Sequence, residues 1–554
     1  MRLLLYLFRG SRWAAVASIC FGLLSGGASA LLIALINYAL GLANSATTVL
    51  VWGFAALCLG KIMTGLIAEV ALIRLAQRAV FDLRMHLCRR ILATPLRLIE
   101  EAGEHRLTAA LVEDVPVIAI GLTTVSPLCV NLAVTLGCLI YIGWLSYLTL
   151  VAVMVFMLIG VASYQIPIVR ARKRLKLARD EQDTLYKFFR TLTAGIKELK
   201  LRPYRSHAFL NDELQPTAQI LQRHTIAGLS IFAGAGKWGN ALFLICIALL
   251  IFAVPAFKTV EPQELTGYTL AILYLMAPLE AILNYFPALG RAQVAMNKIE
   301  SLGMSLAAQP GEVYQSVSSA RPKRWERLEL DGVAHQYHHE QYDNSFRLGP
   351  IDLKFNPGEL VFIVGGNGSG KTTLVKLLTG LYLPEAGEIR LDGERITDEN
   401  RARYRQLFSV VFSDFHLFDH MLGLEDAQSE TRAREYLRRL QLDHKVQIND
   451  GRFSTVDLSQ GQRKRLALLT AYLEDRPIYV FDEWAADQDP YFKKIFYSQL
   501  LPELKARGKT VIVISHDDHY YDVADRFIKL NYGQVEEDRR AKSLAHLSSY
   551  ESLD

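Results

Sequence analysis

The residues best suited to chemistry lie in a glycine-rich loop in the second half of the chain. Residues 365–373 read GGNGSGKTT and follow an apolar run at residues 360–364. This GxxxxGK[ST] spacing, with a predicted strand before it and a predicted helix after it, is typical of a loop whose backbone N–H groups surround phosphates. Lys371 would contact the terminal phosphates, and the Thr372 hydroxyl would ligate Mg²⁺. We assign to this nucleotide site Gly365, Gly366, Asn367, Gly368, Ser369, Gly370, Lys371, Thr372 and Thr373.

An acidic pair ends a second apolar run further along the chain. Asp482 and Glu483 follow residues 478–481, which read IYVF. Asp482 at a strand end would hold Mg²⁺, and Glu483 would polarise an attacking water, because phosphoryl transfer depends mostly on positioning and charge stabilisation. An ordinary strand end that meets solvent has the same pattern, but the phosphate loop favours the catalytic interpretation. His516 ends a third apolar run and would contact the γ-phosphate, whereas a lone histidine would be read as a surface residue.

The composition indicates that two unlike halves are joined. The 554 residues are 51% hydrophobic and carry a net charge of +5, and the mean hydropathy is +0.17. A chain with this hydrophobic content is not expected to be disordered. Its net charge is too small to indicate a nucleic-acid partner. The apolar residues are concentrated in long runs before residue 290. Each run reaches the length of about 20 residues that a membrane span needs. These predicted spans are residues 13–40, 49–72, 118–145, 148–169, 229–256 and 268–289.

Charged residues predict the orientation of this half. Lys and Arg are concentrated between the second and third spans and between the fourth and fifth, so both termini and the two long loops are predicted to be cytoplasmic. Ionisable and polar residues inside spans are expensive unless they face a cavity or a partner. We therefore predict that Lys237, Glu280 and Asn284 line a central substrate cavity. For Lys61 and Glu69 we favour a position near a helix end.

The predicted fold is a polytopic α-helical membrane domain of six transmembrane helices fused to an α/β phosphate-loop domain. The expected boundaries are a membrane domain at residues 1–302, a linker at 303–324, the α/β domain at 325–537 and a C-terminal tail at 538–554.

The order of these motifs resembles the ATP-binding cassette exporters over nearly the whole chain. Residues 458–462 (LSQGQ) are similar to the family's signature motif, with Gln460 in place of a glycine. The resemblance implies that Ser459, Gly461 and Gln462 contact ATP, that Asp489 is the D-loop aspartate, and that Glu483 and His516 are the catalytic glutamate and switch histidine. It also implies that Tyr337 stacks on adenine, the alternative being an ordinary strand tyrosine.

Two departures from the family pattern stand out. Ser413, a shorter side chain, stands where the family has the Q-loop glutamine, so the metal contact would come from Ser413, from Asp414 or through water. Trp484 replaces the usual residue after the glutamate. The runs at residues 415–419, 482–490 and 515–519 resemble the cyclic-peptide and siderophore export subgroup, in which pyoverdine-type exporters are the most similar and syringomycin-type and microcin exporters are related.

The resemblance implies ATP and Mg²⁺ as cofactors and a bacterial inner-membrane location. Since the chain has one phosphate loop and one signature motif, a homodimer with composite ATP sites is implied. Its further partners would be membrane lipid, a peptide or siderophore substrate, and periplasmic or outer-membrane export components, with no nucleic acid. Two alternatives remain: a lipid or glycolipid flippase, and an ATP-gated channel or regulator that does not transport. Intact Glu483 and His516 argue against the second alternative.

Overall fold

A computed structural model of the chain describes residues 12–41, 48–253, 255, 261–306, 324–336, 346–424 and 427–540. They fall into two compact units. One unit holds the described residues up to Leu87 together with His105–Leu302, and the other holds Cys88–Glu104 together with the described residues after Leu302. We call them the membrane unit and the cassette unit.

Long apolar helices build the membrane unit. Among the described residues, six helical segments are long and apolar enough to cross a membrane, which confirms the predicted number of spans. Within this unit α7 packs along α10, and α1 packs along α6. The helices in this half of the chain are α1 Arg12–Gly41, α2 Thr48–Ala93, α3 Leu96–Ala102, α4 Glu104–Ala109, α5 Val115–Thr123, α6 Val125–Leu145, α7 Tyr147–Ala194, α8 Ile196–Leu201, α9 Pro203–Ala208, α10 Gln215–Ala248 and α11 Pro262–Leu306. Helix α3, the end of α2 from Cys88 onward and Glu104 of α4 belong to the cassette unit.

The boundaries of the units differ in detail from the sequence-based ones. Cys88–Glu104 clusters with the cassette unit although it lies within the predicted membrane domain. Helix α11 continues to Leu306, into the predicted linker, and the last described strand continues to Arg540, into the predicted tail.

The cassette unit is built on a mostly parallel sheet. Six strands lie in the order β12-β11-β3-β10-β9-β6, and only β12 is antiparallel to its neighbour. All residues of the central strands β3, β9 and β10 are buried, which explains their continuous apolar sequences, because such strands are covered on both faces. The strands are β1 Leu328–Gln336, β2 Arg347–Phe355, β3 Leu360–Val364, β4 Ala386–Leu391, β5 Glu394–Arg395, β6 Phe408–Val411, β7 Ile448–Asn449, β8 Arg452–Phe453, β9 Ile478–Asp482, β10 Thr510–Ile514, β11 Arg526–Asn531 and β12 Gln534–Arg540.

Helices and two smaller sheets, one of which pairs β7 with β8, complete the described part of the cassette unit. Strands β1, β2, β4 and β5 form an antiparallel sheet. Helix α12 follows β3 after the loop at residues 365–370 and buries Leu374, Val375, Leu377 and Leu378 in one apolar core. A second core includes residues of α14 and α15. The helices are α12 Lys371–Leu378, α13 Arg401–Arg405, α14 Ala427–Arg439, α15 Gln460–Glu474, α16 Pro490–Ile495 and α17 Leu501–Ala506.

Candidate nucleotide site and membrane cavity

The parallel strands bring the predicted catalytic residues to one edge of the sheet. In the register of the sheet, Ile514 lies opposite both Ile363 and Asp482. The segments that follow β3, β9 and β10 therefore leave the sheet side by side. They carry the phosphate loop, Glu483 and His516, so this edge is where a ligand is expected to bind.

Lys371 lies at the centre of the phosphate loop. Its ammonium donates to the carbonyl oxygens of Gly365 and Gly366, each at 2.9 Å. Burial lowers the pKa of the Lys371 ammonium, and the nearby carboxylates of Glu483 and Asp482 oppose this shift. The ammonium is thus held where the terminal phosphates of a nucleotide would bind.

Two glycines of the loop are required by its geometry. Gly365 has a φ of +151°, and a Cβ there would lie 2.2 Å from the carbonyl oxygen of Leu530. Gly370 has a φ of +99°, and a Cβ there would lie 2.7 Å from a methyl carbon of Leu348. Any larger residue at these positions would meet both a strained backbone and a steric clash.

The carboxylate of Asp482 is hydrogen-bonded to the other predicted metal ligands. Thr372 Oγ1 donates to Asp482 Oδ2 at 3.0 Å, and Ser413 Oγ donates to the same oxygen at 3.4 Å. Burial raises the pKa of Asp482, against the hydrogen bonds from the two hydroxyls. The other oxygen, Oδ1, is buried and has no hydrogen-bond partner among the described residues. An unpartnered carboxylate oxygen beside two hydroxyls fits Mg²⁺, a cation that prefers oxygen ligands and would neutralise phosphate charge here.

Ser413, rather than Asp414, faces the predicted metal position. Asp414 is exposed. Of the two residues that the sequence offers for the metal contact, the geometry favours Ser413, because among the described contacts Ser413 and not Asp414 reaches Asp482.

Glu483 and His516 lie close together at the ends of adjacent strands. His516 Nε2 is 3.3 Å from Glu483 Oε1. Their side chains are 35% and 46% exposed, respectively, so water can reach the Glu483 carboxylate. Glu483 also has a left-handed backbone, with φ 49° and ψ 35°. The arrangement suits a carboxylate that orients water toward a bound phosphate, as the sequence predicts.

The signature residues lie at the start of helix α15. The backbone N–H of Ser459 donates to Gln462 Oε1 at 3.3 Å in a capping box, which fixes the first turn. Gly461 lies against the segment after Glu483, since a Cβ there would be 2.7 Å from the Asp487 carbonyl oxygen. Gln460 is exposed, so replacing the family's glycine causes no clash within the chain.

Of the two remaining residues predicted to contact the nucleotide, Asp489 and Tyr337, the structure describes Asp489. Asp489 is exposed and caps helix α16 by accepting from the Phe492 N–H at 3.0 Å. Tyr337, the predicted adenine-stacking residue, lies outside the described residues.

Sequence reasoning missed a contact between helix α3 and the helix after the phosphate loop. Glu100 accepts from Lys376 Nζ at 2.8 Å and also from the Tyr382 hydroxyl. Arg97 donates to Glu385 at 2.6 Å. Lys376 belongs to α12, so α3 contacts the helix whose first turn carries Lys371 and Thr372. The available signal was the break at Thr94-Pro95 and Gly103, which isolates a short helix between longer ones.

The membrane unit contains a cavity between α7, α10 and α11. Its lining is mainly apolar, with polar groups from Tyr164, Asn240 and Glu280. No Lys or Arg is among the described residues that line it. Lys237 and Asn284 are exposed and lie outside this lining, so of the three predicted cavity residues the structure places Glu280 here.

Lys61 is the other notable charge in this unit. Its ammonium donates to the Tyr274 hydroxyl at 2.5 Å and lies 5.3 Å from the centre of that ring. Lys61 is about 20 Å along α2 from Thr48, at 1.5 Å per residue. Our expectation that Lys61 lies near a helix end is therefore wrong. The described residues place no carboxylate within ion-pair distance of its ammonium.

Comparison with known proteins matches both units. The family model described as "ABC transporter transmembrane region" matches residues 14–279, and the model described as "ABC transporter" matches residues 348–486. The chain is 37% identical to the ATP-binding protein SyrD of Pseudomonas syringae pv. syringae over 95% of its own length and 94% of that protein.

Other relatives are more distant. The chain is 26% identical to an ATP-dependent lipid A-core flippase of Alkalilimnicola ehrlichii, over 86% of this chain and 82% of the flippase. It is 27% identical to the flippase of the same name from Chromobacterium violaceum, over 91% of this chain and 87% of that protein. The similarity in each case extends across both the membrane and the nucleotide-binding regions.

Proposed function

Because this chain belongs to the ABC transporter family, with a membrane region and an ATP-binding domain in one polypeptide, we propose that it exports a peptide-type substrate. The substrate would be a siderophore precursor or a cyclic peptide, and the membrane crossed would be the bacterial inner membrane. The protein hydrolyses ATP and couples hydrolysis to transport, as its family does. Mg²⁺ would accompany ATP at Thr372 and Asp482, with Glu483 orienting the attacking water.

The cavity around Glu280 is the observation that favours a peptide substrate over a lipid. Its walls are apolar, and its charged group is a carboxylate rather than a lysine or arginine among the described lining residues. A lipid phosphate would be repelled by this carboxylate, whereas an apolar peptide with an amine or amide donor would be bound. The motif runs that resemble the peptide and siderophore export subgroup support the same assignment.

A lipid or glycolipid flippase is the second candidate, and Lys61 favours it. An ammonium inside a span, with a phenol as its described partner, can bind a phosphate or a carboxylate. The lipid A-core flippases are also relatives of this chain, although at lower identity than SyrD.

The working unit would be a homodimer with the cassettes in the cytoplasm. One chain has one phosphate loop and one signature motif, so two chains would complete two ATP sites by closing over each other. Basic residues in the long loops support cytoplasmic cassettes. The contact of Glu100 with Lys376 would transmit cassette movement to the membrane helices. A measured mass of a single chain in detergent would contradict the dimer.

Transport by purified protein in liposomes tests the substrate. The panel contains a peptide siderophore, a cyclic lipopeptide and lipid A, each assayed for ATP-dependent movement and for stimulation of ATPase activity. We expect a peptide, and not lipid A, to be moved. Glu483→Gln should bind ATP and move nothing. Movement of lipid A alone would replace peptide export by the flippase alternative.

A matched pair of variants tests the cavity. Glu280→Gln should weaken stimulation by the transported peptide, because the carboxylate that binds its donor group is lost. Glu264→Gln, on the same helix and outside the described cavity lining, is the control and should keep the wild-type response. Equal responses from both variants would contradict a role for the cavity.

A further inference from the structure

A buried lysine connects the signature helix to the backbone of Glu483. Lys464 Nζ donates to the Glu483 carbonyl oxygen at 2.8 Å and forms an ion pair with Asp487 Oδ2 at 2.6 Å. The lysine is 2% exposed. A buried ammonium is costly unless it is paired and hydrogen-bonded, so a structure that keeps one here depends on these two contacts.

The carbonyl group that Lys464 holds belongs to a residue in an unfavourable conformation. Glu483 has φ 49° and ψ 35°, the left-handed region, which is unfavourable for a residue with a Cβ. Such a conformation persists only where surrounding contacts enforce it. The described backbone contacts of Glu483 include its N–H, which donates to Ile514 at 3.1 Å, and its carbonyl oxygen, which accepts from Lys464.

Trp484 closes this arrangement from the other direction. Its indole N–H donates to the Lys464 carbonyl oxygen at 2.7 Å, so the two residues on either side of one peptide bond, Glu483 and Trp484, both contact Lys464. The indole is 1% exposed and stacks on Phe496 with ring centres 4.3 Å apart. Trp484 thereby anchors the strand end to the core as well as to α15.

Further contacts join the same two segments. Gln488 donates to the Gly461 carbonyl oxygen at 3.0 Å. Arg465 donates to Gln488 at 3.1 Å and to Asp489 at 3.0 Å. The first turns of α15 and the segment from Glu483 to Asp489 therefore form one connected network.

We propose that Lys464 is a positioning residue for ATP hydrolysis, which holds the Glu483 backbone so that its carboxylate faces the phosphate site. The inference rests on the catalytic role proposed for Glu483. It also explains Trp484, the residue that departs from the family pattern, as the second half of the same connection. Because Ser459 and Gln462 start the same helix, a change at the signature motif would reach Glu483 through Lys464.

The test is steady-state ATPase activity of the purified full-length protein, without added substrate. Lys464→Met removes the ammonium and keeps an apolar side chain of similar length. We expect kcat to fall about 10- to 100-fold, as misplaced catalytic groups cause, while the KM for ATP stays close to wild type. Lys464→Gln keeps a donor for the Glu483 carbonyl oxygen and should recover part of kcat.

Arg526→Met is the matched control for loss of a buried cation. Arg526 is also buried, donates to a backbone carbonyl oxygen, that of Lys354, and pairs with the carboxylate of Asp538 at 2.6 Å. Its loss should lower the thermal midpoint without a selective fall in kcat. Thermal unfolding of every variant is measured alongside, and Lys464→Gln serves if Lys464→Met does not fold.

The outcomes separate this inference from the proposed catalytic role. If Glu483→Gln abolishes turnover but both Lys464 variants keep the wild-type kcat, the positioning role is wrong and the catalytic role stands. If Glu483→Gln turns over like wild type, the catalytic role itself fails. An equal fall of kcat in Arg526→Met and Lys464→Met would reduce Lys464 to a structural residue.

Discussion

The hydroxyl of Thr372 donates to Asp482 Oδ2 at 3.0 Å, which joins two motifs separated by 110 residues. Ser413 contacts the same oxygen at 3.4 Å from a third segment of the chain. The shorter residue at the Q-loop position thus reaches the predicted metal site through the Asp482 carboxylate. Asp482 ends β9, Ser413 follows β6, and Thr372 lies in the first turn of α12.

Ser413→Ala should therefore raise the Mg²⁺ concentration needed for half-maximal ATPase activity. Loss of a residue that orients a metal ligand typically costs about 10- to 100-fold in metal affinity or activity. The measurement is a Mg²⁺ titration at constant ATP. Asp414→Ala is the control and should follow the wild-type curve, because Asp414 is exposed and the described contacts of Asp482 do not include it. A shifted curve for Asp414→Ala alone would reverse the assignment.

Glu100→Ala should weaken coupling between hydrolysis and transport. It removes the acceptor that Lys376 and Tyr382 share, while the phosphate loop is untouched. Mutations in a network that connects two sites typically change the coupling free energy by about 0.5–2 kcal/mol. The ratio of substrate moved to ATP hydrolysed should therefore fall about 2- to 30-fold. Both rates are measured in the same liposomes.

Glu104→Gln provides the comparison for that experiment. Glu104 is exposed on the neighbouring helix α4 and keeps its shape in the amide. Its transport ratio should equal that of wild type. If Glu104→Gln uncouples as strongly as Glu100→Ala, the effect belongs to the segment as a whole and not to the contact with Lys376.

Much of the fold could be predicted because its signals are local. Apolar runs of membrane-spanning length need no partner to be recognised, and the part of the chain that the structure describes contains the six that the sequence predicts. The strand–loop–helix around Lys371 is equally local. The convergence of Asp482, Glu483 and His516 also followed, since the carboxyl ends of adjacent parallel strands share one edge.

The remaining features depend on contacts between distant segments. A lysine in a helix, such as Lys464, is ordinarily read as solvated, and only packing shows that it is buried beneath Glu483. Glu100 has no sequence pattern that names Lys376 as its partner. Lys61 lies well inside both the predicted span at residues 49–72 and α2, and its partner Tyr274 is on a distant helix that no local pattern identifies.

Lys61→Met should weaken the response to substrates that carry a carboxylate or a phosphate. A hydrogen bond to a charged group typically contributes about 1.5–3 kcal/mol, so the concentration for half-maximal ATPase stimulation should rise about 10- to 150-fold. Lys298→Met, an exposed lysine whose described partner is Asp114, is the control. An unchanged response of Lys61→Met to anionic substrates would place Lys61 outside the substrate path.

Glu474→Gln should stabilise the protein at neutral and alkaline pH. Glu474 ends α15, and burial raises the pKa of its carboxyl above the ordinary value, against the hydrogen bond from Ser409. The folded state therefore favours the protonated acid, and the charged form opposes folding. This penalty is absent below the ordinary pKa, grows as the pH rises through the folded-state pKa and is complete above it. Glutamine keeps the shape without the charge.

The measurement is the thermal unfolding midpoint of wild type and Glu474→Gln between pH 5 and pH 8. We expect the difference to be smallest at the acidic end and largest at the alkaline end, with each kcal/mol raising the midpoint by about 2–4 °C in a domain of this size. Glu435→Gln, at an exposed position of α14, should unfold like wild type throughout. A gain for Glu474→Gln that is independent of pH would show that its charge is not the cause.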